Sequence, residues 1–275
     1  MIKYTSYIEG MHKSADEEIS MEVKLIAMTD AMYKGKPVGS LASPEQVCNH
    51  SAKTCTSEDA GTIMGTWYVE DEPVPVWNDL DMKPLRASIR AGHTSILEHT
   101  TYTFEIKGVS RVLETQLVRH RIGASFAIQS GRYNARDPTN YVVPFDTEGL
   151  DDEIISEYND ALRKLDDHLK EKGIKAEDRR YFYPQGLKTN IIMTMNGREL
   201  LHWLSLRLCA RAQKEHRELA EKILKLVKEA SPIIFENAGP SCVQLGYCPE
   251  GKKGCGKCPT MKELLKSYEE SHGRD

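Results

Sequence analysis

Residues 119–133 read RHRIGASFAIQSGRY. Arg119, Arg121 and Arg132 share this stretch with His120, Ser125, Ser130 and Gly131, interrupted by apolar Ile122, Phe126 and Ile128. A solvated charged face mixes in lysines and carboxylates, and this stretch holds neither. Arginine is the side chain suited to bidentate recognition of planar anions and phosphates. Ser130-Gly131-Arg132 adds a hydroxyl, a backbone that an anion can approach closely, and another guanidinium. The stretch predicts an anion cradle; a basic helix end running into a turn is the bland alternative.

The surrounding pattern places the cradle where a helix gives way to irregular backbone. Tyr102, Phe104 and Ile106 alternate with polar residues, as a half-buried strand does. Val109, Val112, Leu113 and Leu117 then recur at helical spacing, with Gln116 and Arg119 one turn apart and able to face one ligand. Gly131 and Asp137-Pro138 argue for a loop. Upstream, 21–28 alternates as a strand, and Ser43-Pro44-Glu45 opens a helix through Val47, Cys48 and Ala52. Residues 85–91 form a short helix ending at Gly92, and Thr94 or Ser95 is placed to cap another. Residues 56–84, rich in Gly, Pro and acidic residues, read as a long loop.

Downstream, 151–172 carries Ile154, Ile155, Tyr158, Leu162, Leu165 and Leu169 on one stripe, an amphipathic surface helix stopped by Gly173. A second helix from Ala176 carries Arg179 and Arg180 and ends before Pro184. A buried strand over 187–195 sets Ile191, Met193 and Met195 on one face. Asn196-Gly197-Arg198 turns directly into a helix bearing Leu200, Leu201, Leu204 and Leu208, with Arg207 among apolar neighbours. An arginine on such a face needs a partner: Glu199 or Glu215 would serve, as would an anionic ligand. A further helix runs to about Asn237.

Composition sets limits. The 275 residues suffice for one sizeable core with appendages. With 40% hydrophobic and 28% charged residues the chain reads as an ordinary globular protein. A net charge of -4 argues for a small anionic ligand rather than a nucleic acid. No apolar run approaches membrane-spanning length, and 1–20 is a polar, acidic extension without a signal core. Seven cysteines without an export signal suggest reduced thiols or metal ligands, and a cytoplasmic location. The organisation expected is an extension over 1–20, a catalytic domain over 21–240 and a Cys-rich tail over 241–275.

In that tail, GKKGCGK at 251–257 has P-loop spacing, but Cys258 stands where Ser or Thr must follow, and no buried strand precedes it. No dinucleotide fingerprint and no acyl-enzyme nucleophile is found. Cys242, Cys248, Cys255 and Cys258 gather there, the last two in CxxC spacing, and zinc would suit four thiolates. Free thiols are the alternative.

Arg119-His120-Arg121, eight residues, then Ser130-Gly131-Arg132-Tyr133 resembles the signature of the flavin-dependent thymidylate synthases (ThyX). His93-Thr94-Ser95 with Glu98-His99, Gln116, Arg180, and Asn196-Gly197-Arg198 through Arg207 resemble the family's motifs in order and approximate spacing, so the resemblance covers roughly residues 21–245. It implies an α/β (α+β) fold with a central, mainly antiparallel sheet packed by long helices. It implies dTMP made from dUMP, with methylenetetrahydrofolate as carbon donor and NADPH reducing bound FAD, in a homotetramer with active sites between subunits. By matching position, Gln116, Arg119, Ser130, Gly131, Arg132, Arg180 and Arg207 would hold dUMP, with Arg207 also stabilising charge on the base. His93, Ser95, Glu98, His120, Arg121, Asn196, Arg198 and His202 would line the flavin and folate region. Members often carry Glu or Gln just before the motif serine; Ile128-Gln129 stands here without a carboxylate. A flavin-dependent pyrimidine-nucleotide hydroxymethylase, or a non-catalytic metal-bearing module binding nucleotide or RNA, are the competing readings.

Overall fold

A computed structural model of the chain describes residues 21–30, 32–33, 36–37, 43–56, 82–134, 136–143 and 152–272. The extension expected over 1–20 and nearly all of the loop expected over 56–84 lie outside these residues.

Strand β1 (Glu22–Met28) opens the described chain, followed by a two-residue ribbon of β2 (Met32–Tyr33) and β3 (Lys36–Pro37). Helices α1 (Ser43–Thr56) and α2 (Lys83–Arg90) come next, then a 3-10 turn over Thr94–His99. Neither Thr94 nor Ser95 caps that turn: His93 occupies the N-cap position and no side chain bonds a turn amide. Strand β4 (Thr101–Ser110) runs straight into α3 (Arg111–Leu117), whose N-cap Ser110 Oγ accepts from Leu113 N–H at 3.0 Å. Val109, expected on the helix, belongs to the strand.

A fifth strand, β5 (Ala124–Ile128), lies inside the arginine-rich stretch where loop was expected. Helix α4 (Asp152–Glu171), the single turn α5 (Ala176–Arg179) and β6 (Lys188–Asn196) follow. Helices α6 (Gly197–Arg207) and α7 (Lys214–Ala230) complete the core, and short α8 (Ser241–Leu245) and α9 (Met261–His272) end the described chain. The helix expected to reach Asn237 stops at Ala230 and continues as turns.

The sheet has the order β1-β4-β6-β5, antiparallel throughout. Its register follows from alternation: Tyr102 stands opposite Met195, Phe104 opposite Met193 and Ile106 opposite Ile191, all buried on one face. Gly108, at φ 72°, absorbs the register shift between Ile106 and Val109, a conformation a glycine adopts without strain. Against this face pack Leu200, Trp203 and Leu204 of α6, Leu219, Ile223 and Val227 of α7, and Cys48 and Leu85 from α1 and α2. Each such side chain contributes about 1.5–3 kcal/mol when fully buried. The opposite face is open in one chain, with Ile26, Ile192, Ser125 and Ala127 exposed. The apolar stripe of α4 is half uncovered too: Ile154 is 58% exposed and Tyr158 44%.

No helix among the described residues is long and apolar enough to cross a membrane.

Candidate active site

Two clusters of polar side chains stand at opposite ends of β5. The first begins where β6 ends. Asn196 caps α6, its Oδ1 accepting from Glu199 N–H at 2.8 Å, a bond of the kind that contributes about 1 kcal/mol. That cap fixes Glu199 in the first turn of the helix, where its Oε1 lies 2.8 Å from His120 Nδ1. On the other side of the ring, His120 Nε2 lies 3.1 Å from Arg207 Nη2. The arrangement assigns the imidazole proton: Nδ1–H donates to the carboxylate and Nε2 accepts from the guanidinium.

Burial pushes His120 below its ordinary range, the Glu199 bond opposes this, and the Arg207 charge lowers it again, so a neutral ring is held at neutral pH. Burial likewise acts downward on Arg207, yet a guanidinium stays charged, and its buried Nε has no partner. The charge is thus fixed in place with a donor in hand. Behind it, fully buried His216 accepts from Trp203 Nε1–H at 3.3 Å and is pushed down to about 3 by burial and then by Arg207 and His120. Ligand atoms of His120, Glu199 and His202 lie within 4.8 Å of one another. Both His120 nitrogens are engaged, however, and the guanidinium sits against Nε2, so the group holds an arginine rather than a metal ion.

Two glycines make this end possible. Gly123 (φ 70°) passes its carbonyl to Asn196 N–H at 2.8 Å, and a Cβ there would meet the Asn196 amide at 2.4 Å. Gly197 lets the start of α6 touch the 3-10 turn: a Cβ would stand 2.6 Å from Thr100 Oγ1 and 3.0 Å from Leu97 O. That contact sets exposed His93, Ser95 and Glu98 beside α6, where Arg198 Nη1 bonds Glu98 Oε1 at 2.6 Å. Arg121 and His202 are also exposed at this end. Gln116 Nε2 donates to Gln213 Oε1, and Arg119 lies past the end of α3, exposed.

The second cluster follows β5. Arg132 N–H donates to Ser130 Oγ at 3.2 Å, and Arg132 Nε to Glu177 Oε2 at 3.0 Å. Arg180 Nε donates to the Glu177 carbonyl at 2.9 Å, so one residue of α5 holds both guanidinium groups. A Cβ at Gly131 would meet Arg180 only at an ordinary 3.5 Å. Among the described residues no neighbour demands glycine there. Buried Asp166 supports the segment, accepting from Arg179 Nε at 2.8 Å and Tyr183 OH at 2.6 Å.

The sequence reading grouped Arg207 and Gln116 with Ser130, Gly131, Arg132 and Arg180. In one chain no hydrogen bond or ion pair among the described residues joins the two groups, and four residue steps of β5, roughly 13 Å of extended backbone, separate the two ends of that strand. Neither carboxylate expected to pair with Arg207 does so. Glu199 serves His120, and Glu215 accepts from Ser110 N–H and Oγ–H at 2.7 and 2.6 Å. The missing acidic position before Ser130 has a structural use. Gln129 N–H donates to Asn190 O at 2.9 Å and its Oε1 accepts from Asn190 Nδ2 at 3.2 Å, stitching the end of β5 to β6. Glu199, Glu177 and Gln213 were not singled out as site residues; the N-x-x-E spacing of Asn196 and Glu199 was the available signal.

Residues 38–233 match the family model described as thymidylate synthase complementing protein. The chain is 44% identical over 207 residues to the flavin-dependent thymidylate synthase of Pyrococcus horikoshii, covering 70% of this chain and 84% of that one. The Clostridium tetani enzyme of the same name is 37% identical over 240 residues, 81% of this chain and 92% of that one. This chain belongs to the flavin-dependent thymidylate synthase family. Membership makes it an enzyme, a methyltransferase. The fold agrees: the crystal structure of ThyX from Helicobacter pylori with FAD and dUMP superposes with a TM-score of 0.57 at 24% identity, covering 80% of this chain and 99% of that one.

Proposed function

We propose that this flavin-dependent thymidylate synthase carries out FAD-dependent reductive methylation of dUMP to dTMP, with methylenetetrahydrofolate and NADPH as cosubstrates. The observation that carries the reading is Arg207: half-buried, charged, held by neutral His120, with its buried Nε donor unpaired. A cation fixed in that way stabilises negative charge developing on the carbonyls of a planar pyrimidine as its C5 attacks the incoming carbon. Ser130, Gly131, Arg132 and Arg180 suit the phosphate of a nucleotide, with Gln116 and Arg119 beside the base. Charge-assisted contacts of this kind contribute about 1.5–3 kcal/mol each.

The donor set at the other end fits an anionic dinucleotide. Arg198 and Arg121 are exposed, and the Arg198–Glu98 pair is of the surface kind that exchanges readily for a phosphate. FAD, when bound, supplies the hydride chemistry. His93, Ser95, Glu98, His120, Arg121, Asn196, Arg198 and His202 bind and orient it together with the folate.

Placement of the two clusters at opposite ends of β5 supports an active site completed between chains. The open sheet face and the uncovered stripe of α4 supply apolar surface for assembly into the homotetramer the family resemblance implies. Product analysis tests the whole reading: the purified chain incubated with dUMP, methylenetetrahydrofolate, NADPH and FAD yields thymidylate. A hydroxymethylated nucleotide would transfer the assignment to the hydroxymethylase, and no product with no flavin absorbance would remove the enzymatic reading of these residues.

A further inference from the structure

Past the catalytic core, residues 241–260 adopt a defined path with almost nothing apolar to hold it. Across 241–271 the one buried side chain is Cys248, while Val243 is 64% exposed and Leu245 52%. Yet the path is specific. α8 ends at Gly246 in the left-handed region, a 3-10 turn over Gly251–Lys253 follows, and Gly256 (φ 79°) closes the turn between Cys255 and Cys258. Cys248 N–H donates to Pro259 O at 2.7 Å, and Cys248 pairs in a parallel bridge with Thr260. Thr260 then begins α9 with a capping box, its N–H and Oγ–H donating to Glu263 Oε2 at 2.7 and 2.9 Å. A segment this short cannot stabilise such a path by burial alone; in small units a metal or disulfides take that part.

The turns bring the thiols together from three directions. Cys242, on α8, hydrogen-bonds Cys258, with Cys255 close enough to act on it electrostatically. The bridge to Thr260 sets Cys248 beside the Cys258-Pro259 arm, and a Cβ on Gly254 would stand 2.7 Å from Cys248 Sγ. Gly254 thus clears the space that the Cys248 sulfur uses. Each of the four thiols is reduced. No three of the sulfurs yet stand within 4.8 Å of one another among the described residues, so an ion must draw them inward, to about 2.3 Å each. Lys252, Lys253 and Lys257, all exposed around the loop, offset the negative charge that four thiolates would leave on a dication.

We infer that Cys242, Cys248, Cys255 and Cys258 form a structural tetrathiolate site for one zinc ion, which fixes the 241–260 loop against the end of α6. Four thiolates with no open position make a closed site with no part in the chemistry. The loop's anchor is Ser241, whose Oγ–H donates to Ser205 O at 3.2 Å.

Metal analysis of the full-length chain, purified under reducing conditions without chelator, tests this. About one zinc per chain is expected, and Cys255→Ser with Cys258→Ser lowers zinc affinity by more than about tenfold. Because that variant's tail could unfold for other reasons, cobalt(II) added to the reduced, metal-stripped wild-type chain gives an independent readout: the absorption bands of a tetrahedral cobalt thiolate. A chain without zinc that gives no such bands overturns the site. So does zinc retained in the double variant, which would put the ion elsewhere, or a Cys242–Cys258 disulfide in the reduced, purified chain.

Discussion

At the scale of single residues, the proposed site turns on where one proton sits. His120 accepts from Arg207 only while Nε2 is bare, and Glu199 ensures this by taking the proton on Nδ1. Glu199 is therefore a positioning residue, with a pH signature that a merely structural carboxylate would lack. Its charge holds the His120 pKa up against burial and Arg207, so Glu199→Gln lets that pKa fall further. Protonation of His120 on the acid side would turn Nε2 into a donor facing Arg207, so the acid limb of the kcat/KM profile moves to lower pH in Glu199→Gln. Glu199→Ala, which leaves Nδ1 unpaired, costs about tenfold in kcat, about 1.4 kcal/mol. An acid limb that stays put in Glu199→Gln would detach the carboxylate from this role. At the other cluster, Arg132→Ala removes a charge-assisted phosphate contact, and the dUMP dissociation constant rises about tenfold or more. Equilibrium binding of dUMP checks it, and unchanged affinity would move the phosphate elsewhere.

At the scale of elements, the contact between α6 and the 3-10 turn is the joint on which the first cluster hangs. Gly197→Ala puts a methyl 2.6 Å from buried Thr100 Oγ1 and 3.0 Å from a backbone carbonyl, neither of which is the loose end of a flexible side chain. A loss of about 1–3 kcal/mol is expected in urea unfolding; a variant as stable as the wild type would show that the joint yields. Much of this level was legible in the chain. Tyr102, Phe104 and Ile106, and Ile191, Met193 and Met195, announce their strands because one face is buried and the other is not. Asn196 announces its helix because its side chain can cap the first free amides, as it does for Glu199 N–H. β5 carries the same signal in Ala124, Phe126 and Ile128, but five residues of weak alternation are masked by the arginines on either side. The partners of those arginines were not legible. Glu177 meets Arg132 across 45 residues and Glu199 meets His120 across 79, and no local spacing encodes such distances.

For the molecule as a whole, pH acts on stability through His216. Its folded pKa, about 3, lies below the ordinary 6.5, so between those values the unfolded chain binds the extra proton and stability falls with acid. The slope from this one group is about 1.4 kcal/mol per pH unit below about 6. Unfolding by urea at pH 7 and pH 5 measures it, and His216→Gln, which keeps an acceptor for Trp203, flattens the difference. Equal slopes in both proteins would mean that other groups carry the acid sensitivity.

Separation of the clusters along β5 has a consequence that only an assembly can express. If His120 and Arg207 of one chain complete a site with Ser130, Arg132 and Arg180 of another, each site has two parents. Arg207→Ala spoils one half of every site, and Arg132→Ala spoils the other, so at dUMP well below the dissociation constant of Arg132→Ala either variant alone is strongly impaired. Co-expressed and assembled together, they restore a fraction of the sites, because one chain's intact Arg207 can face its neighbour's intact Arg132. Random assortment leaves about a quarter of the sites with both halves intact. A site contained within one chain predicts the opposite, since every chain in the mixture then carries a lesion and activity stays at the level of the single variants. Thymidylate formation by the co-purified mixture, compared with each variant and the wild type at equal chain concentration, decides between them. Recovery near one quarter assigns the site to two chains, and no recovery from a mixture shown to have assembled assigns it to one.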